Sequence, residues 1–261
     1  MSQSVSSPTE DSEEELFHHP SWPEQWSHPE FTVSHDERRA RWRQQSWQHD
    51  DRDSVNFMRS GKWPWGFIIY RTVYTPESDQ VWSACLKEIE ECVRCEIDLG
   101  GKDFLDEIPE KILSETFKNV VLEDQERWDS ASVKQIRADF IAHLESLGLS
   151  VGDDMPRSCF CLFIDDACLQ SIRNTFDEPE NNRGSWAPPG FVGIIDPSYV
   201  EGRSYDNMEY RGFMRVQIKC LFGLIARQLP YFSMEEICPR MYHDMRPRAI
   251  DPRKIPLYTG L

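Results

Sequence analysis

The sequence predicts an α+β fold, a small sheet of three or more strands with helices covering one face. Three observations lead there. First, the runs 67–74, 158–164 and 190–196 are dense in β-branched and aromatic residues, the composition of buried strands. Second, the stretches between them repeat apolar residues at spacings of three and four, the period of a helix. Third, 261 residues with 39% hydrophobic content, including 14 Phe, 9 Trp and 8 Tyr, hold enough large side chains for one core. That length allows one domain plus flanking segments, at roughly 100–200 residues per domain.

The elements follow in order. The first strand spans 67–74, opened by Trp63-Pro-Trp65-Gly66. Thr75-Pro76-Glu77-Ser78-Asp79 makes a turn, and Pro suits the first turn of a helix. The apolar set Val81, Trp82, Cys85, Leu86, Ile89, Cys92 and Val93 predicts a helix that stops near Gly100-Gly101. Segment 103–128 is mixed: a short helix through Ile108, Ile112, Leu113 and Phe117, then a short strand at Val120-Val121-Leu122. A second long helix over 132–147 carries Val133, Ile136, Phe140, Ile141, Leu144 and Leu147 on one stripe, and Gly148 is placed to end it. Strand 158–164 leads through Asp165-Asp166 into a short helix with Ala167, Leu169, Ile172 and Phe176. After a polar loop and strand 190–196, Arg211 and Arg215 open a last apolar helix that runs to Leu229. A segregated α+β sandwich fits this order better than a doubly wound sheet.

The ends differ from the middle. Residues 1–15 are acidic and Ser-rich and are expected to be disordered. Residues 16–62 nearly lack aliphatics yet hold Phe17, Trp22, Trp26, Phe31, Trp42, Trp47 and Phe57. They read as an arm whose aromatics dock onto the domain at 63–229, the alternative being a peptide-like arm that binds a protein partner through 17–57. Residues 230–261 contain Pro230, Pro239, Pro247, Pro252 and Pro256, too many for regular structure.

Composition excludes several classes. Lys and Arg total 29 and Asp and Glu 45, a formal charge of −16, which argues against DNA or any partner held mainly through phosphate charge. No run approaches 18 apolar residues, so no membrane span is expected. The acidic start carries no secretory or transit signature, so the expected location is cytoplasmic. Its eight cysteines are then read as reduced, and Cys92-Val93-Arg94-Cys95 lacks the second pair that a zinc knuckle needs. No metal and no cofactor is expected. GxGxxG, GxxxxGK[ST], HExxH and GxSxG are all missing, which removes the commonest nucleotide, zinc-protease and hydrolase readings.

Candidate chemistry centres on acids at strand ends. Asp165 and Asp166 follow the 158–164 strand directly, where adjacent carboxylates can divide into base and electrostatic roles. The competing explanation is that one of them caps the next helix. Asp196 closes the third strand in the same way and would approach that pair if the strands share an end; otherwise Asp196-Pro197 is a turn signal. Arg71, inside an apolar run, needs a partner, and a carboxylate of this acidic cluster is one candidate. Arg211 and Arg215, one helical turn apart, would hold an anion near a helix start or form a solvated face. Ser158 and Cys161 are nucleophile types without a partnered base.

The blocks Trp65-Gly66-Phe67-Ile68-Ile69-Tyr70-Arg71-Thr72-Val73-Tyr74 with Trp82, Phe163-Ile164-Asp165-Asp166, Gly190-Phe191-Val192-Gly193-Ile194-Ile195-Asp196 and Gly212-Phe213-Met214-Arg215-Val216 resemble a large family of filamentous-ascomycete proteins. The matched blocks span residues 63–228. Through that family the chain resembles fungal arginine-containing cyclodipeptide synthases, which carry a D-D-x-x-E motif. Asp165 and Asp166 match its aspartates, and Leu169 stands where the motif has Glu. The resemblance implies an enzyme of fungal secondary metabolism, an acyltransferase that joins amino acids from aminoacyl-tRNAs into a diketopiperazine. On that reading Asp165, Asp166 and Asp196 are catalytic and Arg71, Arg211 and Arg215 bind substrate. The alternative is a non-catalytic interaction protein working through its aromatic arm.

Overall fold

A computed structural model describes residues 54, 57, 65–101, 108–152, 156–176, 190–203, 210–229, 232–238 and 257–258. The chain runs β1 (Ile68–Arg71), α1 (Pro76–Gly101), α2 (Ile108–Thr116), β2 (Val120–Leu122), α3 (Gln125–Trp128), α4 (Val133–Ser146), β3 (Cys161–Ile164), α5 (Asp166–Phe176), β4 (Phe191–Ile195) and β5 (Phe213–Gln217). A continuous helical run follows: a 3-10 turn Ile218–Cys220, α6 (Leu221–Gly223) and a π turn Leu224–Gln228. Then come α7 (Met234–Ile237) and β6 (Leu257–Tyr258).

The architecture is a mixed α+β fold. The sheet has the order β2-β1-β3-β4-β5-β6, with β1 parallel to both β2 and β3. β4 is antiparallel to β3 and to β5, and β6 pairs parallel to β5. Period-2 alternation divides each central strand between two cores. Phe67, Ile69, Leu162, Ile164, Val192, Ile194, Met214 and Val216 belong to the larger core, against Cys85, Ile89, Val93 and Ile97 of α1 and Leu169 and Ile172 of α5. Ile68, Tyr70, Cys161, Phe163 and Ile195 belong to the second, against Trp128 and against Ile136, Phe140 and Leu144 of α4.

Helices therefore cover both faces, where one covered face was expected. The reason is handedness. β1 crosses to β2 on one side, and β2 returns over β1 to reach β3 on the other. Right-handed crossovers in opposite directions place α1–α2 and α3–α4 on opposite faces. Local signals anchor the pieces. Ser132 and Gln135 form a capping box at the start of α4, and Gly148 ends it with φ +71. Gly193, in mid-β4, leaves room for the Phe163 ring, which a Cβ there would meet at 2.0 Å.

Two further expectations are corrected. Arg211–Val216 does not begin a helix: Phe213–Gln217 is a strand, and the helical run starts after it. The β-branched and aromatic content of 213–217 fits its pairing with all five residues of β4. Nor does the segment from 230 lack regular structure, because α7 and β6 lie within it, with Met234 and Cys238 in the larger core. Ser233 and Glu236 supply the capping box that makes α7 viable among the prolines. Of the 16–62 stretch, Ser54 and Phe57 are described and buried, and the Phe57 ring sits 5.2 Å from that of Trp65 and 6.1 Å from that of Phe222. The expected tail at 1–15 and the aromatics Phe17, Trp22, Trp26, Phe31, Trp42 and Trp47 lie outside the described residues.

Candidate functional site

Three parallel strands, β2, β1 and β3, end at one edge of the sheet. The connection leaving β1 goes to one face and the connection leaving β2 goes to the other. In open α/β sheets the crevice at such a reversal is the usual ligand position. Charged residues collect along this edge: Arg71 at the end of β1 and Asp79 in the first turn of α1, Glu123 and Asp124 after β2, and Asp165 and Asp166 after β3.

Arg71 fills the crevice between β1 and β2. Its side chain is 6% exposed, and its guanidinium lies 4.6 Å from the Tyr74 ring centroid and 4.7 Å from that of Trp82. Nε donates to the Val73 carbonyl at 2.9 Å and Nη2 to Ser78 Oγ at 3.1 Å. Ion pairs to Asp79 and to Glu123 complete its partners. Trp82 Nε1 donates to Glu123 Oε1 at 2.5 Å, so one carboxylate ties the indole to the cation stacked on it. The Asp124 amide donates to Tyr74 Oη at 2.8 Å, and burial leads in raising the phenol's pKa. A planar cation between two rings with its donors occupied is a stable floor for a site. The expected carboxylate partner of Arg71 exists, but it comes from α1 and from the end of β2, not from Asp165, Asp166 or Asp196.

Asp165 and Asp166 have different surroundings. Asp165 caps α5, accepting the Cys168 amide on Oδ1 at 2.8 Å. It also pairs with Arg215, which reaches across from β5 with Nη1 3.2 Å from Oδ1 and Nη2 2.7 Å from Oδ2. Burial pushes the Asp165 carboxyl upward, but the Arg215 hydrogen bonds and charge together with the Cys168 amide outweigh it and hold the carboxyl below its ordinary value. Asp166 is the exposed first residue of α5. Asp165 is thus engaged and Asp166 faces solvent, and the capping role weighed for one of the pair falls to Asp165.

Asp196 does not join them. Antiparallel pairing puts Cys161 opposite Ile195, so Asp196 lies beyond the start of β3 while Asp165 lies at its end. Five residue steps along β3 separate the two levels by about 17 Å at ~3.4 Å per residue. Asp196 instead closes a turn: Oδ1 accepts the Ser198 amide at 2.8 Å and Ser198 Oγ at 2.5 Å, and Oδ2 accepts Tyr210 Oη. Arg211 is exposed, and its carbonyl accepts from Arg137, which also bonds the carbonyls of Asp196 at 2.8 Å and Gly212 at 2.9 Å. Arg211 and Arg215 therefore do not share a helix face, and Arg215 is committed to Asp165.

Ser158 and Cys161 are wholly buried, and burial drives the Cys161 thiol far above its ordinary pKa, so neither presents a nucleophile. Cys92 is half-buried and Cys95 exposed on α1, and neither is in a disulfide. Among the described residues no group of three or more His, Cys, Asp and Glu is placed to hold a metal ion, and no helix is long and apolar enough to cross a membrane. Asp98 of α1 and Glu110, Lys111, Ser114 and Glu115 of α2 line a cavity of about 330 Å³. Sequence reasoning missed Tyr74, Ser78, Asp79, Trp82 and Glu123 as a set. Its one available signal was that a buried strand arginine demands several acceptors. No protein-family model, no curated protein and no solved structure matches the chain.

Proposed function

We propose that the chain is an enzyme whose substrate sits at the shared edge of β1, β2 and β3, and that it forms cyclodipeptides from aminoacyl-tRNAs. The observation that carries the site is the winding reversal between β1 and β2, with Arg71 at its floor and Asp166 exposed at the end of the neighbouring β3. The chemistry rests on the resemblance of the β1, β3, β4 and β5 blocks to the filamentous-ascomycete family and, through it, on the match of Asp165 and Asp166 to the D-D-x-x-E motif of the fungal synthases, from which Leu169 departs.

The reaction sets clear requirements. The α-amino group of one aminoacyl ester attacks the carbonyl of the other. A C–N bond forms, the C–O bond to ribose breaks, and the departing ribose oxygen takes up a proton. The free amine then attacks the remaining ester, closing the diketopiperazine and releasing the second tRNA. Two esters become two amides with no change in oxidation state. The attacking ammonium must lose its proton, and Asp166 is the carboxylate assigned to receive it. Asp165, paired with Arg215, fixes the start of α5 and so the position of Asp166. The formal charge of −16 opposes a polyanionic partner, so tRNA binding would have to rest on a local basic surface.

Expression in a host that makes no diketopiperazines, followed by metabolite profiling, tests the chemistry. A new cyclodipeptide supports it, and an unchanged profile from soluble, folded protein removes it. The reading of 17–57 as a partner-binding arm gains nothing from Phe57, which packs inside the chain's own core.

A further inference from the structure

We propose that the outer edge of β5 is a strand-addition site for an extended basic peptide, and that the chain's own C-terminal strand β6 occupies it in cis. β4 pairs with all five residues of β5 on one side. On the other side β6 pairs with two of them, Arg215 opposite Leu257 and Val216 opposite Tyr258. Among the described residues no other strand pairs with that edge, so without β6 it is an open ladder. It carries none of the usual guards against pairing with foreign strands: residues 213–217 contain no Pro and no Lys. Their single charge, Arg215, is drawn inward to Asp165 with its side chain 11% exposed. Such an edge recruits a strand, and main-chain hydrogen bonds provide the affinity.

Charge selects the occupant. Residues 239–261 hold five Arg and Lys against two Asp, a net +3. The whole chain is −16, so the preceding 238 residues carry −19. The C-terminal sequence that carries β6 thus has the sign opposite to the rest of the chain, and long-range attraction favours its pairing. Eighteen residues separate Cys238 from Leu257, and Pro256 directly precedes β6, a position a strand tolerates.

The test uses the full chain and a synthetic peptide of residues 239–261 with an amidated C-terminus, labelled with a zwitterionic rhodamine so that its positive charge is kept, and read by anisotropy. In the Leu257→Pro/Tyr258→Pro chain neither residue can donate to the ladder, which leaves the edge open. That chain should bind the peptide, more weakly as salt is raised. The unaltered chain should bind at least about tenfold less tightly, because its tethered strand competes at an effective concentration on the order of millimolar. Equal binding by the two chains overturns the proposal, as does no binding by a proline chain whose near-UV circular dichroism matches the parent. Should the proline chain not fold, the full-length Arg253→Glu/Lys254→Glu chain replaces it. Weakened attraction should then admit the peptide better than the parent does, and binding equal to the parent's overturns the proposal. Light scattering of the unaltered chain should show a monomer; a dimer held by exchanged tails would overturn the assignment in cis.

Discussion

Replacing Asp165 with Asn separates its two roles. Asn caps a helix about as well as Asp, so the bond from the Cys168 amide survives the change. What is lost is the charge facing Arg215, a two-bond pair whose side chains are 35% exposed on Asp165 and 11% exposed on Arg215. Hydrogen bonds to charged groups are worth about 1.5–3 kcal/mol when dry. With a third of the carboxylate in water, screening reduces this to about 1–2 kcal/mol. The remaining guanidinium is left buried without its counter-charge, which places the expected loss near the upper figure. Relief of repulsion between Asp165 and Asp166 would on its own raise stability in the Asn variant, but the partner on β5 reverses that sign. Urea unfolding at pH 7 measures the loss, and Asp165→Ala should cost about 1 kcal/mol more through the missing cap. Acid provides a second reading. The Asp165 carboxyl is held below its ordinary 3.8, so its stabilisation is complete above that value and fades as pH falls through the lowered one. Parent and Asn variant should therefore converge in acid. An Asn variant within about 0.5 kcal/mol of the parent at pH 7, or a gap that widens in acid, refutes the reasoning.

Other substitutions probe the frame around the site. Gly193→Ala would put a Cβ 2.0 Å from the Phe163 ring and should cost about 1–3 kcal/mol in urea unfolding as that ring is displaced. Ser132→Ala breaks the capping box of α4 and should cost about 1 kcal/mol, read as a lowered unfolding midpoint with unchanged slope. Phe57→Ala should cost about 3–5 kcal/mol if its packing on Trp65 and Phe222 is part of the core, and a neutral result would detach it from the domain.

The sequence made the elements legible where composition and periodicity agreed. The cores of all three expected strands, the stripe Ile136-Phe140-Leu144, the stop at Gly100-Gly101 and the minor strand at 120–122 were visible in that way. Topology was not, because pairing order leaves no periodic trace in a single chain. Asp196 illustrates the consequence. It ends a strand as Asp165 does, but antiparallel pairing sends equivalent ends to opposite edges. Arg215 was misplaced for a related reason: Phe213-Met214-Arg215-Val216 precedes a long apolar helix, and a five-residue strand running into it interrupts no pattern. The partners of Arg71 come from positions 8 and 52 residues away, a distance that local reasoning does not cross.

The central claim is that Asp166, at the carboxyl edge of β3, acts on aminoacyl esters, and a purified assay addresses it directly. The folded chain and its Asp166→Asn variant are each incubated with radiolabelled aminoacyl-tRNAs, and loss of ester and appearance of cyclodipeptide are followed together. Removing an assigned base should slow product formation by about 10²–10⁴-fold while urea unfolding stays within about 0.5 kcal/mol of the parent. Product formation by the variant at the parent's rate, or a folded parent that leaves every ester intact, would contradict the account.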